Sequence, residues 1–350
     1  MVSRKRILAK SDLIFGPGFF DLQCNGYAGI DFAHPDTTPN QIVTAIKAMR
    51  KRGCTHVLPT LITAAPERLE LLFRHLNQAL HSNEDVRGSV LGYHLEGPFI
   101  SPIDGARGAH PKEHVVPPSR VLWRRLQNAA QGNIRLVTLA PEIEGALPFI
   151  RQLRSEGIVV ALGHTLAGCE QIAAAVKAGA VLSTHLGNGC PQQIHRHQNP
   201  IFAQLGQQNL SASLIADRIH LPAEVLSSFW RAKGPGQTIL VTDAMAAADA
   251  PPGRYTLGDL IAEVGSDKVV RQSGTENLAG SALTMEAAVS NLMSAAGATL
   301  CQAWDAASLQ PRKLMGNIKI PGHSFTIVRP TRRGLRIMAT VLANRVVFCR

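Results

Sequence analysis

Residues 158–186 read IVVALGHTLAGCEQIAAAVKAGAVLSTHL. The stretch opens on an apolar, β-branched run (Ile158 to His164), continues through a loop into a helical segment (Glu170 to Ala178) closed by Gly179, and ends in a second apolar run (Val181 to Leu186). The runs lack strict alternation, as parallel strands covered on both faces do. From His164 to His185 is one strand–helix repeat.

Working outward, the same rhythm recurs at Gly18–Gln23, His56–Ile62, Val90–Glu96, Ile134–Glu142, Ala212–Asp217 and Ile239–Asp243. Helical segments lie between them, including Gln41–Arg52, Glu67–His81, Arg120–Ala130 and Ala223–Ala232, with Gly53, Gly157 and Gly234 as closing residues. Eight such runs with helical crossovers predict an α/β fold, a (β/α)8 TIM-type barrel. Two more helices, Thr284–Ala296 and Ala303–Met315, follow the eighth run. A strand-rich tail then has runs at Thr326–Arg329, Arg336–Leu342 and Arg345–Phe348. The expected organisation is a short strand segment in residues 1–16, the barrel in 17–317, and tail strands in 318–350. The two end segments together form a small, reduced β element.

The 350 residues carry 36 Lys and Arg against 25 Asp and Glu, a net charge of +11. Residues 1–10 hold four basic and no acidic residues and 330–350 hold five and none, so the two ends account for nine of the eleven surplus charges. With the middle nearly balanced and only 5% aromatic residues, no basic stripe with stacking side chains is present, and a nucleic-acid partner is not expected. No apolar run is long enough to span a membrane. Near the start, Arg4, Lys5 and Arg6 are followed by Lys10 and Asp12, which interrupt any secretory apolar region. Cys24, Cys54, Cys169, Cys190, Cys301 and Cys349 are dispersed without a CxxC pair, so reduced thiols and a cytoplasmic setting are expected.

Barrels of this type carry their chemistry at the C-terminal strand ends. Those ends here hold Gln23 and Asn25, His94 and Glu96, His164, His185 and Asp243. Glu96, His164 and His185 offer one carboxylate and two imidazoles, a mixed set that leaves a coordination position open on a catalytic Zn²⁺ or similar ion. Such an ion brings the pKa of its water to near 7, and Asp243 is the obvious proton acceptor.

His94-Leu95-Glu96-Gly97-Pro98-Phe99, Gly163-His164-Thr165, Thr184-His185-Leu186-Gly187-Asn188, Val241-Thr242-Asp243-Ala244-Met245 and Leu278-Ala279-Gly280-Ser281 occur in this order. Together they resemble the motifs of the N-acetylglucosamine-6-phosphate deacetylases of the amidohydrolase superfamily, over about Phe15 to Val328. The resemblance implies that Glu96, His164 and His185 bind the metal and that Asp243 is the catalytic acid and base. It further implies substrate contacts from His110, Asn188, Gly189, Arg196 and His220, with Leu278, Ala279 and Gly280 against the N-acetyl group. Arg196 and His220 are donors suited to a phosphate; a solvated basic loop is the alternative for Arg196. His110 can either polarise the acyl carbonyl or bind a sugar hydroxyl.

Many amidohydrolases complete a second metal position with an HxH motif after strand one, where this chain has Gln23-Cys24-Asn25. One divalent ion per subunit is therefore expected, Zn²⁺ first, with Fe²⁺, Mn²⁺ or Co²⁺ as alternatives. Relatives also begin with a longer strand-rich segment, so the tail strands here are short of partners, and a reduced sheet or a subunit contact would cover them. The resemblance implies a homodimer in which a partner loop approaches the phosphate. The implied reaction is hydrolysis of N-acetylglucosamine 6-phosphate to glucosamine 6-phosphate and acetate. The galacto epimer, a deaminase or cyclic amidase activity, and a noncatalytic relative are the competing readings.

Overall fold

The computed structural model describes residues 12–350 apart from 276, 317 and 321. Most of the expected 1–16 segment, with its basic residues, and the expected boundary at residue 317 lie outside the described residues. Eight parallel strands form the central sheet: Phe19–Cys24, Cys54–Ile62, Tyr93–Glu96, Ile134–Leu139, Val159–Leu162, Leu182–Ser183, Ser211–Ile215 and Thr238–Val241, in sequential order. Cys54–Ile62 and Val159–Leu162 are buried at every position, which accounts for the lack of strict alternation in both.

The sheet closes just beyond the strand ends. The Asp243 amide donates to the Gln23 carbonyl at 2.9 Å and the Asn25 amide to the Ala244 carbonyl at 2.7 Å, joining the eighth strand to the first. Buried Asp21 strengthens this seam, since its carboxylate accepts from the Thr242 hydroxyl at 2.5 Å and from the Thr242 amide at 3.2 Å. The residues that end up at the mouth are thus held from both sides of the closure.

Helices cover the outside of the barrel. Pro39–Arg50 begins at a Thr38 capping box, and Cys169–Ala178 ends at Gly179. The segment expected as one helix from Ala303 to Met315 is two, Leu300–Ala307 and Leu309–Met315, parted at Ser308. Pro311 has no N–H, and its ring conflicts with the carbonyl four residues back at Ala307, so a continuous helix is not available.

Ile14–Pro17 pairs antiparallel with Phe325–Thr331, which continues into Gly334–Leu342 and Arg345–Cys349 to make a four-stranded sheet. The tail strands find their partner in this short segment. Trp304 fastens the junction, donating from Nε1 to the Pro17 carbonyl at 2.8 Å and packing on Phe19.

A three-stranded antiparallel sheet (Gly253–Leu257, Leu260–Val264 and Val270–Gln272) between the eighth strand and the helix Met285–Ala296 was not expected from the sequence. Leu257 pairs with Leu260 around Gly258 (φ +62°) and Asp259, a two-residue turn of the kind that favours glycine. The tip is tied down at two points: the Gly258 amide donates to Asp31 Oδ2 at 2.8 Å, and Arg68 Nη1 meets Asp259 Oδ1 at 2.6 Å.

Burial raises the Asp31 carboxyl to about 6 despite the amides of Ala33 and Gly258 that favour its ionised form. A group whose pKa is higher folded than unfolded stabilises the fold at low pH and loses that contribution as the pH rises through its folded value. Relative to an unfolded value of 3.8, up to about 3 kcal/mol is expected to disappear between pH 4 and 6 from this group. Melting temperatures recorded across that interval should fall less steeply in Asp31→Asn than in the wild type.

Candidate active site

Glu96 is the last residue of the third strand, whereas His164, His185 and Asp243 lie just past the ends of the fifth, sixth and eighth. Those three have φ values of +51°, +29° and +48°, left-handed conformations that side chains other than glycine's seldom adopt. The backbone turns sharply out of each strand there, and strain of this kind collects at functional sites.

His185 Nε2 lies 2.9 Å and His164 Nε2 3.3 Å from Glu96 Oε1, and the two nitrogens are 3.2 Å apart. All three residues are buried. His164 Nδ1 donates to the Ala106 carbonyl at 2.9 Å, which leaves Nε2 with a bare lone pair in the neutral ring. A lone pair aimed at a carboxylate and a second imidazole nitrogen is repulsive unless a proton or a cation lies between them. The donor set therefore fits a divalent cation. Burial alone would push the Glu96 carboxyl up, but when a proton rather than a cation lies between these groups the charged imidazoles hold it well below the usual range.

Asp243 lies beside this cluster. Its Oδ1 accepts from Asn25 Nδ2 at 2.7 Å and from Gln23 Nε2 at 3.1 Å, and the same Gln23 nitrogen donates to Glu96 Oε1 at 2.9 Å. One amide group therefore bridges the carboxylate of the cluster and the proposed base. Burial and the Glu96 charge raise Asp243 to about 6, against the bond from Asn25.

His110 packs edge-on against His164. Its Nδ1 faces the Thr63 amide at 3.3 Å and the Thr63 hydroxyl at 2.8 Å. A backbone N–H can only donate, so Nδ1 accepts and Nε2 carries the hydrogen; burial keeps the ring neutral. Gly97 has φ +78°, and a Cβ there would lie 2.1 Å from Thr63 Oγ1. Gly97→Ala should displace Thr63 and with it His110, lowering kcat/KM at least about tenfold and stability by about 1–3 kcal/mol. Steady-state kinetics and thermal melts measure the two effects.

These residues open onto a cavity of about 1230 Å³. Glu96, His110, His164, His185, Asn188, Gly189, His220, Asp243, Leu278 and Gly280 line it. Ala279 does not: it is buried in the small apolar cluster with Ile62 and Met245. Arg196 is exposed and is not among the lining residues. The sequence reading missed Thr63, Arg68, Arg107, Lys112 and Asp259, all of which line the cavity. The Arg107 guanidinium donates to the His110 carbonyl and pairs with Asp104, tying down the loop that carries His110.

No family model matches the chain. Among curated proteins, human N-acetylglucosamine-6-phosphate deacetylase is 35% identical, over 96% of this chain and 83% of its own length. N-acetylgalactosamine-6-phosphate deacetylase of Escherichia coli O157:H7 is 34% identical, over 86% and 78% respectively. Among solved structures, a mutant N-acetyl-D-glucosamine-6-phosphate deacetylase from Mycobacterium smegmatis, in complex with N-acetyl-D-glucosamine-6-phosphate, superposes with a TM-score of 0.87 at 30% identity, over 99% of this chain and 91% of that one. The Thermotoga maritima N-acetylglucosamine-6-phosphate deacetylase gives 0.85 at 27% identity, over 100% and 92%.

Proposed function

The chain belongs to the N-acetylglucosamine-6-phosphate deacetylase family, and from that premise we propose that it hydrolyses N-acetylglucosamine 6-phosphate to glucosamine 6-phosphate and acetate. The observation that carries this reading is the meeting of Glu96, His164 and His185 with Asp243 at the mouth of one cavity. A divalent ion held by the first three would supply Lewis acidity, acidifying water and polarising the acyl carbonyl. Zn²⁺ suits one carboxylate and two imidazoles, and Fe²⁺, Mn²⁺ or Co²⁺ are alternatives. A single ion is favoured because Gln23 and Asn25 stand where an HxH motif would supply two imidazoles, and amide side chains are poorer ligands for such an ion.

Asp243, with a carboxyl near 6, takes a proton from the attacking water and returns it to the departing amine, so that one carboxylate serves both steps. His110 donates from Nε2 to the acyl oxygen as it gains negative charge. The Thr63 amide leaves the ring a donor on its free side, which supports the carbonyl-polarising role. Leu278 and Gly280 border the acetyl group, and Asn188, Gly189 and His220 hold the rest of the sugar phosphate.

In the homodimer that the family resemblance implies, Arg196, exposed and outside the cavity of its own chain, would reach the phosphate in the partner's cavity; as a monomer feature it is a solvated basic loop residue. Six free cysteines support a reducing, cytoplasmic setting. Among the described residues no helix is long and apolar enough to cross a membrane.

Acetate release should be measured on N-acetylglucosamine 6-phosphate, its galacto epimer and unphosphorylated N-acetylglucosamine. The gluco phosphate is expected to give the highest kcat/KM, at least about 100-fold above the unphosphorylated sugar. A preference for the galacto epimer, the substrate in the name of the Escherichia coli relative, would move the assignment to that sugar. Absence of acetate release from either phosphate by metal-loaded protein would overturn the reading.

A further inference from the structure

The loop after the seventh barrel strand, Asp217-Arg218-Ile219-His220, folds back on itself. Asp217 Oδ1 accepts from the amides of Ile219 and His220, each at 2.8 Å, and Oδ2 meets His220 Nδ1 at 2.6 Å. Arg218 has φ +65°, which turns the chain back on the carboxylate. Both side chains are largely buried, at 8% and 9% exposure.

Both amides donate to Oδ1, and a carboxylate accepts on Oδ2 as well, so the hydrogen of the His220–Asp217 bond belongs to Nδ1 of the imidazole. In the neutral ring, Nε2 is then a bare acceptor. With Nδ1 committed to Asp217, Nε2 is the polar atom that His220 has left for a ligand in the cavity it lines. His110 has the opposite polarity, because the Thr63 amide leaves it a hydrogen on Nε2.

We propose that Asp217 is a positioning residue that sets the orientation and tautomer of His220, so that Nε2 accepts a hydrogen bond from a ring hydroxyl of the amino sugar. The proposal rests on the deacetylase reading above. It also changes the role expected from sequence, where His220 was counted as a phosphate donor. A bare imidazole lone pair repels phosphoryl oxygens and attracts an O–H group. His220 thereby becomes a reader of the sugar ring.

Asp217→Asn tests this with little change of shape. The asparagine oxygen keeps the two backbone amides, its NH₂ group then faces His220 Nδ1, and the ring hydrogen must move to Nε2. In protein labelled with ¹⁵N-histidine, two-bond ¹H–¹⁵N spectra should show the neutral His220 ring protonated on Nδ1 in the wild type and on Nε2 in D217N, with His220→Gln assigning the signals. With N-acetylglucosamine 6-phosphate, KM should rise about 10- to 100-fold in D217N while kcat stays within about threefold. A substrate analogue lacking the hydroxyl that His220 reads should cost the wild type the same factor and cost D217N nothing further.

A folded D217N with an unchanged tautomer, or with an unchanged KM, would overturn the proposal. Should D217N fail to fold, His220→Gln supports the same KM comparison on an intact Asp217 loop. If the wild type itself released no acetate, the deacetylase reading would fall, and the tautomer spectra would still judge the Asp217–His220 pair on their own.

Discussion

Replacement of Asp243 by asparagine is expected to lower kcat by about 10³- to 10⁴-fold, with KM for N-acetylglucosamine 6-phosphate changed less than about threefold. The size of the effect follows from the local hydrogen bonding. Asn25 and Gln23 both donate to Oδ1, so an asparagine would place its oxygen there and turn its NH₂ group toward the reacting atoms. A donor would then stand where an acceptor is needed, and the amine would lose its proton source as well. Asp243 is not one of the three clustered ligands, so metal content should be retained in the variant. A kcat within tenfold of wild type, measured by acetate release on protein of verified metal content, would assign the proton transfers to another group.

The second large effect concerns the ion itself. Dialysis against a chelator should reduce acetate release to background, and stoichiometric Zn²⁺, Mn²⁺ or Co²⁺ should restore it. The three ligand atoms lie within 3.3 Å of one another in a buried site, and the Ala106 carbonyl fixes the His164 tautomer with its lone pair inward. Without a cation this arrangement must acquire a proton to relieve the repulsion, so the stripped protein should also be less stable. For an ion present at 1,000 times its dissociation constant the difference is about 4 kcal/mol, several degrees in melting temperature. His185→Ala should reproduce both losses without chelator. Full activity after verified metal removal would contradict the arrangement.

The meeting of Glu96, His164 and His185, with Asp243 beside them, was legible in the sequence because the fold makes it so. A strand buried on both faces has one polar exit, at its end, and Glu96, His164, His185 and Asp243 each stand at such an exit. Strand boundaries were read to within a few residues: the fourth ends at Leu139, short of the expected Glu142. The hairpin after the eighth strand was overlooked, although Leu257-Gly258-Asp259-Leu260 carries a turn signal between apolar residues. Other features leave no local trace. Thr63 reaches His110 across 47 positions and Arg68 reaches Asp259 across 191, so only the folded chain brings them together. Arg196 shows the reverse limit, since a residue can match a motif and still lie outside the cavity of its own chain.

The left-handed turns at His164, His185 and Asp243 set folding and turnover against each other. Glycine would relax the backbone at each of these positions, by about 1 kcal/mol or more, and would delete a proposed metal ligand or the proposed base. At His164 and His185 the loss of the ion's stabilisation would outweigh that gain, so it is at Asp243 that selection for heat resistance alone would favour a hardy but inert protein. Screens that aim to toughen this enzyme should hold these three positions constant and seek their gains in the outer helices or the four-stranded sheet.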